Sequence, residues 1–291
     1  MTRAVLLIVL LVSVAHALVH VFELALPSVE QDIAREYEPG DEPAGKRLSG
    51  AMANWWRFPF GAGALLAGWL VDRLGSRRML AVYLLGCGGM CVAAAMVHPL
   101  NALFGVMFAM GLFASIYHPA GLALISHEVD PDELPRALGI HGIFGSLGIG
   151  GAPFIAGGIL MLSDPPQWRY VYAALAVPGI ALGLVFALLA IRNGQRIGLP
   201  DGKLPDQADK HPRWGAFITL TLFAVLMGFT YAGVLSFLPR YMAGVVDLPT
   251  ATASGVKNYL AGGVLLVGCF GQYLAGRFAR RRWLELQLLL I

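Results

Sequence analysis

Apolar residues gather along this chain in runs of about twenty, broken by short clusters of Pro, Gly and charge. Eight runs predict helical spans at 4–26, 50–71, 79–97, 101–126, 138–162, 169–191, 214–236 and 257–276. About 20 apolar residues carry a helix across a bilayer, so each run has spanning length. The breaks fall at Pro39–Pro43, His98–Pro99, Asp130–Pro135, Asp164–Pro166 and Pro200–Pro212. Gly recurs inside the runs, as expected where membrane helices must approach closely. Trp283–Ile291 reads as the start of a ninth span, too short to cross. The pattern predicts an all-α membrane protein.

The pattern also repeats. Leu70–Leu80 aligns with Leu274–Leu284 at an offset of 204, and Leu26-Pro27 with Leu238-Pro239 at an offset of 212. The seventh span therefore corresponds to the first and the eighth to the second, which is a parallel repeat of two helical halves. Ala15-His16-Ala17 would suit a signal-peptide cleavage site, but the apolar run continues to Leu26 and the repeat needs this helix.

Composition removes the soluble classes. The 291 residues are 57% hydrophobic and 13% charged, where a soluble domain averages about 25% charged. The net charge of +3 is spread over short loops, which excludes a nucleic-acid surface. With the amino terminus in the cytoplasm, inner segments hold about twice as many Lys and Arg as outer ones, as the inside-positive bias requires. Cys87, Cys91 and Cys269 all lie in apolar runs and give no disulfide framework. Cys87 and Cys91 share a helix face, but no His or carboxylate joins them, so packing and not a metal is expected. No nucleotide-binding loop, metal cluster or nucleophile–base pair appears, so no cofactor and no enzyme activity are expected.

Between the second and third spans, Gly68–Leu80 reads Gly-x-x-x-Asp-Arg-x-Gly-x-Arg-Arg, with Gly68, Asp72, Arg73, Gly75, Arg77 and Arg78 in register. A topogenic basic turn would need the arginines alone. The full register resembles the signature loop of the major facilitator superfamily. That resemblance implies about eight helices of a 12-helix (6+6) fold. Residues 1–191 would form the amino-terminal six-helix bundle, 192–213 a cytoplasmic linker, and 214–291 an incomplete carboxy-terminal bundle of helices 7, 8 and the start of 9. On the repeat, four helices are missing and the chain is expected to be carboxy-terminally truncated. The resemblance gives Asp72 the role of capping a helix of the other half, where an anion is stabilised by free N–H groups, with Arg73 and Arg77 locking the loop. Gly276 replaces the acid in the second copy.

In the first span, His16, His20 and Glu23 fall within a narrow wedge of one helix face. Ionisable groups are costly against lipid, so this face should line the interior, with His16 near the bilayer middle. The two histidines are the first candidates for a proton site, since imidazole titrates near neutrality. Hydrogen bonding to neighbouring helices is the plainer alternative. Arg57 lies deep in the second span after Asn54, Trp55 and Trp56, and an Arg at such depth has a partner or snorkels to the surface. Glu23 lies at comparable depth, which predicts a Glu23–Arg57 pair.

The fourth span carries Tyr117-His118-Pro119, where Pro119 removes a backbone donor and would turn Tyr117 and His118 toward a cavity. With the paired histidines of the first span, it resembles the facilitators near the fosmidomycin-resistance efflux proteins. The wider family has an Arg four residues before a Gly in this helix, whereas here Met107 precedes Gly111. The fifth span holds Gly148-x-x-x-Ala152-Pro153-x-x-Ala156-Gly157, which resembles the facilitator antiporter motif with two Ala-for-Gly changes. Gly148, Pro153 and Gly157 would pack and bend this helix. His141 at its start is expected to be interfacial.

Together these features predict a secondary-active transporter of the bacterial inner (plasma) membrane, working by alternating access. Its partners would be a small organic solute and protons, with efflux as the direction. An uptake symporter of a small organic acid or sugar is the nearest alternative. A non-transporting membrane remnant or sensor would have no use for the His16–His20–Glu23 wedge.

Overall fold

The structure, a computed structural model, describes residues 1–192, 214–245 and 250–278. The expected linker after Arg192 and the start of a ninth span at Trp283–Ile291 lie outside the described residues. Nine helices are present among them: α1 (Arg3–Tyr37), α2 (Glu42–Leu74), α3 (Ser76–Met96), α4 (Leu100–Ala114), α5 (Tyr117–Glu128), α6 (Leu134–Leu160), α7 (Trp168–Arg192), α8 (Trp214–Ala243) and α9 (Thr250–Phe278). They form eight spans, because α4 and α5 continue one another from Leu100 to Glu128. Six of the eight are long and apolar enough to cross a bilayer by composition. In α2, Asn54 and Arg57 toward one end and Asp72 and Arg73 at the other dilute the apolar run.

The helices overrun the apolar runs that predict them. α1 continues to Tyr37, about 52 Å at 1.5 Å per residue, so its last turns carry Glu30, Asp32 and Glu36 past the hydrocarbon core. Two glycines make the tight corners. Gly40 (φ +81°) lets the chain turn before Asp41, whose carboxylate accepts from the Ala44 N–H at 2.8 Å and starts α2. Gly75 (φ +84°) is the single residue between α2 and α3. A side chain there would sit in the left-handed region, which costs roughly 1–2 kcal/mol.

The fourth span breaks at Ser115–Ile116, not at Pro119. The ring of a helical Pro clashes with the carbonyl four residues earlier and leaves it without a donor, so the fault lies one turn upstream. The Ser115 hydroxyl donates to the Leu112 carbonyl at 2.7 Å beside it.

The helices pack into a bundle with α1 at its centre, touching each of α2 and α4–α8. The interior is mostly apolar, with Phe22, Trp56, Tyr83, Tyr117, Tyr172 and Phe186 fully buried. Cys87 and Cys91 are buried in it, and the Cys87 thiol donates to the Met110 carbonyl at 3.6 Å. Small residues set the closest approaches. A Cβ on Gly148 would lie 2.4 Å from the Ala17 carbonyl oxygen of α1. One on Gly157 would lie 2.9 Å from the Gly255 carbonyl oxygen of α9. One on Gly111 would lie 2.1 Å from the Trp56 carbonyl oxygen of α2. α6 thus touches α1 on one side and α9 on the other.

Candidate functional site

The polar wedge of α1 meets side chains from α2, α5, α6 and α8. His16 Nδ1–H donates to the His141 carbonyl at 2.9 Å, and the two imidazoles stack at 4.1 Å between centroids. The His20 ring lies 5.0 Å from His16 and 5.9 Å from His118, and His118 lies 5.5 Å from His16. Tyr117 stacks on His16 at 5.2 Å and anchors itself by donating to the Val12 carbonyl at 3.0 Å. The break after α4 is what turns Tyr117 and His118 inward together.

Below this cluster of rings lies a charged chain. His20 Nδ1–H donates to Glu23 at 2.9 Å, and Arg57 donates to the other Glu23 oxygen at 2.9 Å. Arg57 also donates through Nε to Ser236 of α8 at 2.9 Å. Glu23 is 4% exposed, so a carboxylate there requires these partners. The expected Glu23–Arg57 contact is present, and Arg57 does not snorkel. Ser236 was not legible in sequence, since nothing marks one Ser in an apolar helix.

A cavity of about 500 Å³ opens beside the rings, lined by His16 and His20 of α1, by Gly142, Gly145, Ser146 and Ile149 of α6, and by Met227, Gly228 and Tyr231 of α8. His141, expected at an interface, is instead 4% exposed and buried against His16. It begins the apolar part of α6 in sequence, but α6 starts two turns earlier at Leu134 and carries it inward. Asn54 is exposed and makes none of these contacts. Met107 is buried and accepts from the Tyr172 hydroxyl at 3.7 Å.

A second polar network lies at the Gly40 end of the bundle. Arg240 of α8 donates to both oxygens of Glu30, through Nε at 2.8 Å, and to Ser49 of α2 at 3.0 Å. Asp32 accepts from Ser254 of α9 at 3.0 Å and from Arg35 at 2.7 Å, and its second oxygen lies 3.6 Å from Lys257. Lys257, 2% exposed, also donates to Gln31 at 2.7 Å, and Asn258 donates to the Ser28 carbonyl at 3.0 Å. Sequence reading does not pair these acids and bases. Their opposite charges on repeat-related helices are the signal that could have done so.

At the other end, the signature stretch is compact. Arg77 donates to Glu128 at the end of α5 at 2.6 Å, and Arg73 lies 4.0 Å over the Trp69 ring. Asp72 and Arg78 are exposed, Gly68 is half-buried, and Gly75 makes the turn. The Met1 amino group pairs with Glu133 nearby.

The family model described as Major Facilitator Superfamily matches residues 5–291. The chain belongs to this family. Among curated relatives, the puromycin resistance protein pur8 of Streptomyces alboniger is 28% identical over 87% of this chain and 51% of its own length. A probable L-galactonate transporter of Escherichia coli K12 is 25% identical over 52% of this chain and 32% of its own. The chain thus spans about half of the first of these relatives and about a third of the second. Among solved structures, a bacterial homologue of the human lysosomal transporter Spinster, inward-facing and unoccupied, superposes with a TM-score of 0.72 at 16% identity over 96% of this chain and 64% of that one. A D-xylose–proton symporter superposes at 0.66 with 12% identity, covering 92% and 67%. Among the described residues the fold is therefore eight spans of the facilitator architecture, and the protein is an integral multi-pass membrane protein of a solute-transporting family.

Proposed function

We propose that this protein works in secondary-active export of a small organic solute, by alternating access and at the expense of a proton gradient. The observation that carries the reading is the relation between cavity and seal. The cavity lies beside His16 and His20, and the buried Glu30–Arg240 and Asp32–Lys257 contacts lie about 15 Å further along α1. Those contacts join α1 to α8 and α9, and the Arg240–Ser49 hydrogen bond adds α2, so the molecule is shut on one side of its cavity. Taking the amino terminus as cytoplasmic, which the Lys and Arg distribution supports, the shut side is the outer one. The cavity then belongs to an inward-facing state.

The division into a six-helix bundle over 1–191, a linker over 192–213 and the start of a second bundle is part of this proposal. The solute class follows the resistance function in the name of the Streptomyces relative, supported by the small-residue pattern at Gly148, Pro153 and Gly157. Proton coupling is supported by the name of the xylose–proton symporter of the same fold and by a sequence without a nucleotide-binding loop.

The test uses everted membrane vesicles from cells expressing the protein. An imposed pH gradient, acid inside, should drive puromycin accumulation above vector vesicles, and a protonophore should collapse it. Puromycin accumulation that ignores the gradient overturns proton coupling. Solute loss from the vesicles under the same gradient would select the uptake symporter.

A further inference from the structure

We propose that His16, His20 and His118 form a binding site for one divalent transition-metal ion of borderline softness, such as Zn²⁺, Co²⁺ or Ni²⁺, facing the central cavity. The site stands on its own geometry and does not depend on the direction or the solute of transport.

Four observations converge on it. One ligand nitrogen from each of the three rings lies within 4.8 Å of the others. Metal–nitrogen bonds of about 2.0–2.1 Å put tetrahedral nitrogens roughly 3.4 Å apart, so the rings need to close by about 1.5 Å. α1 supplies two rings one turn apart. His118 sits just past the break between α4 and α5, where such a closure meets the least helical resistance.

The tautomers of two rings are fixed by what their Nδ1 atoms meet. His16 Nδ1 faces the His141 carbonyl, which can only accept, and His20 Nδ1 faces the Glu23 carboxylate. Each Nδ1 therefore holds the hydrogen, and each Nε2 presents a lone pair. A carboxylate or backbone carbonyl behind the far nitrogen of a ligating imidazole is the usual outer shell of a histidine metal site. Here that shell has a further support, since Arg57 holds Glu23 in place at 2.9 Å.

His141 supplies the third observation. It is 4% exposed, stacks on His16, and its Nδ1 is buried without a hydrogen-bond partner. A buried ring nitrogen with nothing to bond marks polar capacity that the protein alone does not use. The fourth is Gly145, where a Cβ would lie 2.4 Å from the His16 ring. The bare backbone of α6 is what lets that ring stand where it does.

Three imidazoles leave a coordination position open, the arrangement of exchangeable rather than structural sites. His16 and His20 both line the cavity, so a water or a donor atom of a cargo molecule can complete the set. The nearby Glu23 carboxylate offsets part of the cost of placing a dication there.

The experiment is equilibrium dialysis of Zn²⁺ against the full chain purified in detergent, with visible absorption of the Co²⁺ form as readout of geometry. The expected result is one Zn²⁺ per chain and an intense d–d band for Co²⁺. His16→Asn and His118→Asn should each abolish stoichiometric binding. Glu23→Gln, which removes no ligand, should weaken it 10- to 100-fold, and Gly145→Ala should weaken it and alter the Co²⁺ spectrum. His98→Asn and His127→Asn, both on exposed positions, serve as controls and should change nothing. Gel filtration and a thermal melt of each variant separate loss of the site from loss of the fold. Binding that persists in His16→Asn and His118→Asn, or that disappears in the His98 and His127 variants, overturns the proposal, as does a wild-type protein that retains no Zn²⁺.

Discussion

The two ends of the helix bundle are held by different kinds of contact. At the Gly40 end, ion pairs cross from α1 to α8 and α9, through Glu30–Arg240 and Asp32–Lys257. At the Gly75 end, the described ion pairs, Arg77–Glu128 and Met1–Glu133, stay within α1–α7. Both ends carry about the same chemistry of carboxylates and cations. What differs is which helices those charges join. Charge within one group of helices fixes its shape, whereas charge between two groups fixes their relative position. The comparison teaches that the relative position of two helix groups is written in the contacts that cross between them and not in the number of salt bridges.

The largest effect is expected where the crossing contacts reach the cavity. Arg57 joins Glu23 of α1 to Ser236 of α8, so Glu23→Gln and Arg57→Gln should each abolish the proposed solute export in vesicles. Exchanging the two, Glu23→Arg with Arg57→Glu, should restore a measurable part. Full activity in both single variants would sink the pair's role. Next is Asp32→Asn, which leaves Lys257 buried without its carboxylate. Breaking a buried pair costs about 3–5 kcal/mol, so the Gly40 end should open. A membrane-impermeant amine reagent should then label Lys257 many times faster than in the parent protein, and an unchanged labelling rate would show that packing alone holds this end shut.

At the Gly75 end the effects should be smaller and should not change labelling of Lys257. Gly75→Ala forces a side chain into the left-handed region at φ +84°, with an expected loss of roughly 1–2 kcal/mol in thermal stability. Arg77→Gln removes a half-buried pair and should cost about 1 kcal/mol or less. If either change speeds Lys257 labelling as much as Asp32→Asn does, the two ends are coupled and the contrast between them fails.

The fold was legible because its signals are local. Runs of apolar residues, the Pro and Gly breaks and the repeat at offset 204 each lie within one stretch of chain, and every predicted span has a helix over it. The boundaries were not legible, because helices such as α1 run past the apolar core into polar residues that hydropathy discounts. The wedge of His16, His20 and Glu23 was also local, being a matter of helical angle, and Arg57 could be joined to it by depth. His141 and Ser236 could not. Their places depend on how α6 and α8 lean on α1, which for α6 follows from Gly145 and Gly148 only once the helices are assembled. The same holds for Lys257 with Asp32, which are more than 200 residues apart.

The broken fourth span has a mechanical consequence. α4 and α5 have 15 and 12 residues, about 22 and 18 Å of helix, and neither alone crosses a hydrocarbon core of about 30 Å. Only their stacked length suffices, so lipid acts as a splint that keeps the two pieces in line across the fault at Ser115. A thinner bilayer lets the joint bend and a thicker one straightens it, each for a fraction of a kcal/mol per ångström of mismatch. His118 rides on the shorter piece. The stance of His118 therefore depends on how the surrounding lipid supports a joint that Pro119 leaves short of a backbone donor.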